Sequence, residues 1–203
     1  MPYLLLGAGF FLFIFSVLIL IMPSFSHVDL HMIQWMSQHR TTDLTNIARV
    51  LSTIGGMPFV LLLTIIWCLH QTWYKNYINV AFISLGLITS TAIVWLLKYI
   101  ISRPRPPEMY QLVDSYGASF PSAHSVYAAT LGCLAIYLSQ KPPQHYAICF
   151  GAVLWLFIMG LSRVYLGVHF PSDVLAGWGI GFTCISVLYI CYAKFSKRKQ
   201  INF

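Results

Sequence analysis

The chain has 203 residues, of which 58% are hydrophobic and 8% are charged, with a formal net charge of +7. This composition indicates an integral membrane protein, in which we interpret residues 1–203 as a single domain. The positive charge does not indicate a nucleic-acid partner, because no basic patch is interleaved with aromatic residues. Four of the cations instead form a tail after the last apolar segment, which is typical of a cytoplasmic anchor beside anionic lipid.

Six segments come close to the length of about 20 apolar residues that a membrane-spanning helix needs. They are Tyr3–Met22, Met57–Trp73, Ile78–Leu97, Ser122–Leu138, Tyr146–Leu161 and Val174–Tyr192. The sequence therefore predicts an all-α fold, a bundle of six transmembrane helices. With the basic tail on the cytoplasmic side, both termini are cytoplasmic and all five acidic residues fall on the outer side.

The segment between the first two predicted spans, His27–Gly56, is too polar to cross a bilayer. Its apolar residues recur at steps of three and four, which predicts amphipathic helix on the membrane surface or against the end of the bundle. Thr41 and the residues after it are a plausible start signal for the second half of this segment, and Gly55-Gly56 is a plausible end.

Neither a disulfide framework nor a metal site is expected. All five cysteines fall inside the proposed spans, where they read as small apolar packing residues. The sequence has no CxxC or HExxH pattern, and its acidic residues are too scattered for a carboxylate-bridged pair of metals. We therefore expect no metal and no other cofactor.

The first polar stretch that could form part of a functional site contains Lys98, Arg103 and Arg105. It lies at the end of the third predicted span and in the residues that follow. Each arginine precedes a proline, which favours extended backbone, so the two arginine side chains should point to one side. Three neighbouring cations would suit an anion. The alternative is a group of interfacial side chains whose charged ends reach water beside a span, and this stretch alone favours neither interpretation.

The second stretch, Pro121-Ser122-Ala123-His124, begins the fourth predicted span. Proline is favoured at the first helical position, so the backbone N–H groups of the next three residues are predicted to be free to bind an anion. The Ser122 hydroxyl is a further donor, and His124 is placed to give a proton to a leaving oxygen. A lone histidine at a helix start, however, is more often structural or interfacial.

The third stretch runs from Arg163, at the end of the fifth predicted span, to Asp173 in the first turn of the sixth. Pro171 marks the helix start, where a carboxylate is favoured. From there Asp173 can bind His169, which fixes the imidazole tautomer and leaves the other ring nitrogen as a nucleophile. Arg163 offers a planar pair of donors to phosphate oxygens. Asp173 as a simple helix cap is the alternative, and the two roles are compatible.

Together the three stretches resemble the signature motifs of the type 2 phosphatidic acid phosphatase superfamily. They are Lys98-x6-Arg105-Pro106, Pro121-Ser122-Ala123-His124 and Ser162-Arg163-x5-His169-x3-Asp173. The chain departs from the usual family pattern at Ala123, where glycine is common. Alanine would be strained only if that position required a positive φ, so we expect reduced or retuned activity at worst.

The resemblance implies a lipid phosphatase that needs no metal. His169 would attack phosphorus and form a phosphohistidine, with Asp173 orienting it. His124 would protonate the leaving oxygen and then activate a water molecule. The residues expected to bind the phosphate oxygens are Lys98, Arg105, Ser122, Ala123 and Arg163. Arg103 is a further candidate, for the second phosphate of a diphosphate.

The chain resembles in size small bacterial members of this family, whose substrates include undecaprenyl pyrophosphate, phosphatidylglycerophosphate and phosphatidic acid. Undecaprenyl pyrophosphate is our first choice, because Arg103 offers an additional cation for a diphosphate. We expect a protein of the bacterial plasma membrane, in contact with membrane lipids and a lipid phosphate substrate, with its active site facing outward. The sequence fixes neither the substrate nor the oligomeric state.

A lipid or phosphate transporter is the alternative from another class. In transporters, the substrate site typically contains polar groups near the middle of the membrane and is formed by interrupted helices. In this sequence the charged residues of the three stretches lie at span ends instead.

Overall fold

The computed structural model describes residues 1–139 and 141–201, and within these ranges the chain is helical, without a β-strand. The α-helices are α1 (Pro2–Ile21), α2 (Pro23–Gln38), α3 (Thr42–Ile54), α4 (Met57–Trp73), α5 (Tyr77–Ile101), α6 (Ala123–Leu138), α7 (Pro142–Tyr165) and α8 (Pro171–Ile201). A short 3₁₀ turn covers Glu108–Tyr110 in the long loop between α5 and α6. The predicted all-α class is therefore confirmed.

In the described part of the chain, four helices are long and apolar enough to cross a membrane: α1, α5, α7 and α8 as far as Lys194. α3 and α4, which meet at an angle of 53°, together form a fifth possible span. α6 has only 16 residues, a length of about 24 Å, which is shorter than the hydrocarbon core of about 30 Å. The protein is a membrane protein, and the number of six spans stays a prediction.

The segment predicted to be amphipathic and interfacial divides into α2 and α3. α3 begins at Thr42, and the Thr41 side chain caps it by accepting a hydrogen bond from the Leu44 N–H at 3.3 Å. On α2, Ile33 is fully buried and packs with Val164 of α7 and Val174 of α8. α2 is thus held against the bundle, and its position at a membrane surface stays a prediction.

α8 is the central helix of the bundle, in contact with α1, α5, α6 and α7. Nine of the 16 residues of its partner α6 are buried, including Val126, Leu134 and Thr130 at 0% exposure. Ile185 of α8 packs with Leu134 in one apolar cluster, and Ile180 packs with Val126 in another, nearer to the start of both helices. Short α6 is therefore enclosed by its neighbours, and its first turn is fixed against that of α8.

α1 approaches α8 closely because glycines face each other where the helices cross. A Cβ atom added at Gly9 would lie 2.5 Å from Thr183 Oγ1 and 2.9 Å from the Gly179 carbonyl oxygen. Small residues at such positions let two helix backbones pack directly, which is the main source of association between helices in lipid. A Cβ added at Gly7, by contrast, meets nothing within 4 Å.

This contrast predicts that Gly9→Val destabilises the protein and Gly7→Val does not. The valine at position 9 must push α1 away from α8, and overpacking of this kind costs about 1–3 kcal/mol. Thermal unfolding of the two purified variants in the same detergent would measure the difference, since both place an identical side chain on one helix. Equal melting temperatures would contradict the assigned α1–α8 contact.

Candidate active site

The three polar stretches of the sequence meet at one end of the helix bundle. The Lys98 ammonium group, near the end of α5, donates to the Ala118 carbonyl oxygen at 2.5 Å. The Ser122 N–H, before α6, donates to the Asp173 carbonyl oxygen of α8 at 3.0 Å. Arg105 Nη1 donates to the Val168 carbonyl oxygen at 2.7 Å, which joins the first stretch to the third. The predicted convergence of these stretches is present in the structure.

His169 and Asp173 form a buried pair at the start of α8. The side chains are 3% and 0% exposed, and His169 Nδ1 lies 3.4 Å from Asp173 Oδ2. The contact does not have the geometry of a hydrogen bond, and Nδ1 has no hydrogen-bond partner among the described residues. Catalytic hydrogen bonds are often long in an unliganded enzyme and shorten when substrate binds.

The contact with Arg105 favours one tautomer of His169. Its Nη1 atom lies 3.4 Å from His169 Nε2. A guanidinium can only donate, so a lone pair on Nε2 is the arrangement that suits this contact. The ring proton then resides on Nδ1 and faces Asp173, which is the orientation that a nucleophilic Nε2 requires.

Burial keeps His169 uncharged. Desolvation lowers the pKa of His169 to about 3; the neighbouring Asp173 carboxylate opposes this shift, and the charges of Lys98 and Arg163 add to it. Because the neutral form predominates above the pKa, the imidazole retains its free lone pair throughout the physiological pH range.

The Asp173 carboxylate is held from several directions. Its Oδ2 atom accepts hydrogen bonds from Ser119 Oγ at 2.5 Å and from the Phe170 N–H at 2.8 Å. Its Oδ1 atom accepts from Arg103 Nη1 at 2.5 Å. Asp173 is the third residue of α8, and its side chain reaches back to the N–H of the residue before the helix, as the third residue of a capping box does. The same bonds fix its orientation beside His169.

Arg103 lies between two carboxylates. Nη1 binds Asp173, and Nη2 binds Asp29 Oδ2 at 2.8 Å. Nη1 also donates to Ser172 Oγ at 2.8 Å, and the guanidinium carbon lies 4.1 Å from the centre of the Phe170 ring. The sequence led us to assign Arg103 to a second phosphate. Its placement in what we call the Asp29–Arg103–Asp173 network favours a role in holding Asp173 instead.

Asp29 is a site residue that the sequence analysis did not identify. It is 3% exposed, and its Oδ1 atom accepts from the Ser172 N–H at 3.0 Å while Oδ2 accepts from the Ser172 hydroxyl. A buried carboxylate is tolerated only when it is paired and hydrogen-bonded. The available signal was that Asp29 is the one carboxylate in α2, a helix without lysine or arginine.

Three cations surround His169, and at least one of their N–H groups is available to a ligand. Lys98 is 5% exposed and Arg163 is 3% exposed. Arg163 Nη1 donates to Ser52 Oγ at 2.6 Å, whereas its buried Nε has no partner in the described part of the chain. Burial lowers the pKa of Arg105, against the pull of Asp173. An anion with several oxygens would compensate this concentration of positive charge.

The start of α6 differs from the prediction. Pro121 is not the first helical residue, because α6 begins at Ala123 and Ser122 is its N-cap. The Ser122 N–H is not free either, since it donates to the Asp173 carbonyl oxygen. The N–H groups of Ala123 and His124 remain in the first turn, where a helix offers no internal acceptor. The backbone of Ala123 does not have a positive φ, so alanine is unstrained there.

The His124 ring is bound by α3, an element that the sequence analysis did not connect with the site. Its Nε2 atom lies 3.0 Å from the Ser52 carbonyl oxygen. Ser52 therefore touches His124 through its backbone and Arg163 through its hydroxyl group. No feature of the sequence around Ser52 distinguishes it from other serines, so the three-dimensional structure was needed to find it.

Comparison with known proteins identifies similar chains. The model of the PAP2 superfamily matches residues 79–197, a range that contains all three polar stretches. The chain is 32% identical over 146 residues to phosphatidylglycerophosphatase B of Bacillus subtilis (strain 168), an alignment that covers 68% of this chain and 70% of that protein. It is 26% identical over 141 residues to an undecaprenyl-diphosphatase of the same organism, with coverages of 68% and 69%.

A third relative is the lipid A 1-phosphatase of Rhizobium etli, which is 30% identical over 135 residues. The alignment covers 62% of this chain and 53% of that protein, so the chain spans about half of its length.

Solved structures show the same fold. A transmembrane PAP2 type phosphatidylglycerolphosphate phosphatase from Bacillus subtilis superposes with a TM-score of 0.81 at 26% identity, covering 94% of this chain and 96% of that chain. LpxE of Aquifex aeolicus superposes with a TM-score of 0.68 at 24% identity, covering 80% and 95%.

The Asp29–Arg103–Asp173 network predicts that Arg103→Ala slows the hydrolysis of a lipid monophosphate and a lipid diphosphate by the same factor. The terminal nitrogens of Arg103 bind carboxylates, so its loss should misplace Asp173 and His169, at a cost of about 10²-fold in kcat. Steady-state kinetics on both substrates would measure it, with Arg49→Ala as control because Arg49 is exposed and reaches only the Leu112 carbonyl oxygen at 3.5 Å. A loss confined to the diphosphate would restore the assignment of Arg103 to a second phosphate.

Proposed function

Because the chain belongs to the PAP2 superfamily and is a membrane lipid phosphatase, we propose that it removes the phosphate of a phospholipid monoester through a phosphohistidine. The observation that carries the proposal is a neutral, buried His169 between Asp173 and the cations Lys98, Arg105 and Arg163. A neutral nucleophile beside a carboxylate and a cationic anion site has the parts that phosphoryl transfer requires.

In the first step, His169 Nε2 attacks phosphorus. The N–P bond forms while the bond from phosphorus to the lipid oxygen breaks, and the His169 ring becomes positively charged. Asp173 stabilises this charge through the Nδ1 proton. Lys98, Arg105 and Arg163 neutralise charge on the three equatorial oxygens, assisted by the N–H groups at the start of α6. His124 gives its proton to the leaving oxygen.

In the second step, His124 acts as a base. It takes a proton from a water molecule, whose oxygen attacks phosphorus as the N–P bond breaks, so that His169 returns to its neutral form and inorganic phosphate leaves. No bond in this sequence needs a metal ion. We therefore propose that the enzyme is metal-independent.

Phosphatidylglycerophosphate is the substrate that we propose first. The sequence-based preference for undecaprenyl pyrophosphate relied on Arg103, whose terminal nitrogens bind Asp29 and Asp173. The phosphatidylglycerophosphatase B of Bacillus subtilis, with 32% identity, and the solved phosphatase with a TM-score of 0.81 support a monophosphate.

Undecaprenyl diphosphate is the second candidate, supported by the similarity to an undecaprenyl-diphosphatase over 68% of the chain. Phosphatidic acid is a third, on the family resemblance alone. Transport is less well supported, because the site lies at helix ends and contains a nucleophile-carboxylate pair that a transporter does not need.

We place the enzyme in a bacterial plasma membrane with its site on the outer side. The basic residues Lys194, Lys197, Arg198 and Lys199 favour a cytoplasmic position for that end of the chain. The start of α8, which carries the site, lies at the opposite end of the helix. A lipid can then keep its tail in the bilayer while its phosphate reaches the cations.

The proposal predicts that His169→Ala abolishes hydrolysis, that EDTA does not affect the wild type, and that phosphatidylglycerophosphate has the highest kcat/KM in a panel of lipid phosphates.

His124→Ala should be about 10²–10⁴-fold slower, because the leaving oxygen is not protonated. A substrate with a good leaving group should partly recover this loss but not that of His169→Ala.

The control is His39→Ala, since His39 is exposed and binds only the Trp35 carbonyl oxygen on its own helix. Full activity in His169→Ala, or strict dependence on an added divalent metal, would overturn the mechanism. A higher kcat/KM for undecaprenyl diphosphate would overturn the substrate assignment alone.

A further inference from the structure

The break between α3 and α4 frees a backbone carbonyl group beside the active site. In an uninterrupted helix the Ser52 carbonyl would accept from the Gly56 N–H. Here α3 ends at Ile54, and the Gly56 N–H donates to the Thr53 carbonyl oxygen at 3.2 Å. The Ser52 carbonyl oxygen faces His124 instead, at 3.0 Å from Nε2.

This contact fixes the protonation pattern of the His124 ring. A carbonyl oxygen only accepts hydrogen bonds, so Nε2 must carry a proton. The nitrogen that gains and loses the second proton is therefore Nδ1, for which the described part of the chain provides no hydrogen-bond partner. Burial, together with the charges of Arg163, His169 and Arg105, lowers the pKa of the His124 ring to about 3, and the hydrogen bond to the Ser52 carbonyl opposes that shift. The negative charge of a phosphate bound beside the ring would act in the same direction as Ser52.

We infer that the broken end of α3 is a positioning device for the general acid, with the Ser52 carbonyl holding His124 so that Nδ1 serves the leaving oxygen. The inference rests on the proposed function, in which His124 is that acid. It adds a division of labour between the two ring nitrogens: Nε2 is anchored to the protein, and Nδ1 exchanges the proton with lipid oxygen and then with water.

The hydroxyl group of the same residue has a separate contact. Ser52 Oγ accepts from Arg163 Nη1 at 2.6 Å, and Arg163 is 3% exposed. Ser52 thus connects the acid and a phosphate-binding cation by two different groups. The backbone group should act only on proton transfer, whereas the side chain should act on phosphate binding whatever the leaving group.

Close packing permits this approach of α3 to the site. A Cβ atom added at Gly55 would lie 2.4 Å from Met159 Cε and 2.6 Å from Met159 Sδ on α7. Glycine at this position therefore allows the end of α3 to lie against α7, next to Arg163. The sequence analysis interpreted Gly55-Gly56 only as the end of a helix. In the structure, Gly55 also allows α3 to pack closely against α7.

The test weakens the Ser52 carbonyl without changing a side chain. Replacing Thr53 by its α-hydroxy acid analogue turns the preceding amide into an ester, whose carbonyl is a weaker hydrogen-bond acceptor. The same replacement at Leu51 is the matched control, because it also removes one helical N–H group but leaves the Ser52 carbonyl an amide. Pre-steady-state phosphorylation would be measured with a lipid monophosphate, which has a poor leaving group, and with an aryl phosphate, which has a good one.

We expect the ester after Ser52 to slow phosphorylation by the lipid about tenfold, a fraction of the whole effect of a general acid. The aryl phosphate should show less than a twofold change, and so should both substrates with the ester at Leu51. Ser52→Ala, which retains the carbonyl, should lower kcat/KM for both substrates equally. In a His124→Ala background the ester after Ser52 should have no further effect.

Several results would overturn the inference. An equal loss on both substrates would mean that the ester only disturbs the fold, and no loss would mean that the carbonyl does not position His124. If Ser52→Ala lost more activity on the lipid than on the aryl phosphate, the Ser52 hydroxyl, and not the carbonyl, would be the group that positions His124. If His124→Ala itself lacked leaving-group dependence, the proposed acid would be wrong and this inference would fail with it; in the other cases the proposed acid stands.

Discussion

The Asp29–Arg103–Asp173 network is the interaction on which the position of His169, the proposed nucleophile, depends. Buried charges are expensive unless each has a partner, and removing one partner leaves the others uncompensated. Arg103 forms ion pairs with two carboxylates at once, and one of them, Asp173, lies beside His169. Because Asp29 belongs to α2, the packing of that helix against α7 and α8 is part of the same constraint. The ion pairs of the candidate site thus also connect the helices at this end of the bundle.

The other cations of the site have different partners. Within the described part of the chain, Lys98, Arg105 and Arg163 form no ion pair with a carboxylate. They bind backbone carbonyls and one hydroxyl, and a buried N–H of Arg163 has no partner there. The protein therefore separates its charges: the carboxylates are satisfied by Arg103, and the other cations retain their attraction for an anion. Burial then keeps His169 neutral between the two groups, which is the form that the proposed nucleophile requires.

The sequence was sufficient to predict the helical class, because apolar runs and local helix signals depend on neighbouring residues. α8 begins at Pro171 and α3 at Thr42, as the start signals indicated. The resemblance to a family implied that the three stretches share one site, but individual contacts between distant segments could not be predicted. Arg103 meets Asp29 from 74 positions away, and His124 meets Ser52 from 72. The start of α6 was wrong by two residues because Ser122 serves as N-cap in place of Pro121 at the first helical position.

The central claim is that the reaction passes through a covalent bond between phosphorus and His169. It is tested most directly with a lipid carrying ³²P in its phosphate, mixed rapidly with enzyme and quenched in alkali, in which phosphohistidine survives. The account predicts a label that is stable to alkali, lost in acid and located by mass spectrometry on His169. Label on any other residue, or phosphate release by an active enzyme without covalent label, would contradict it.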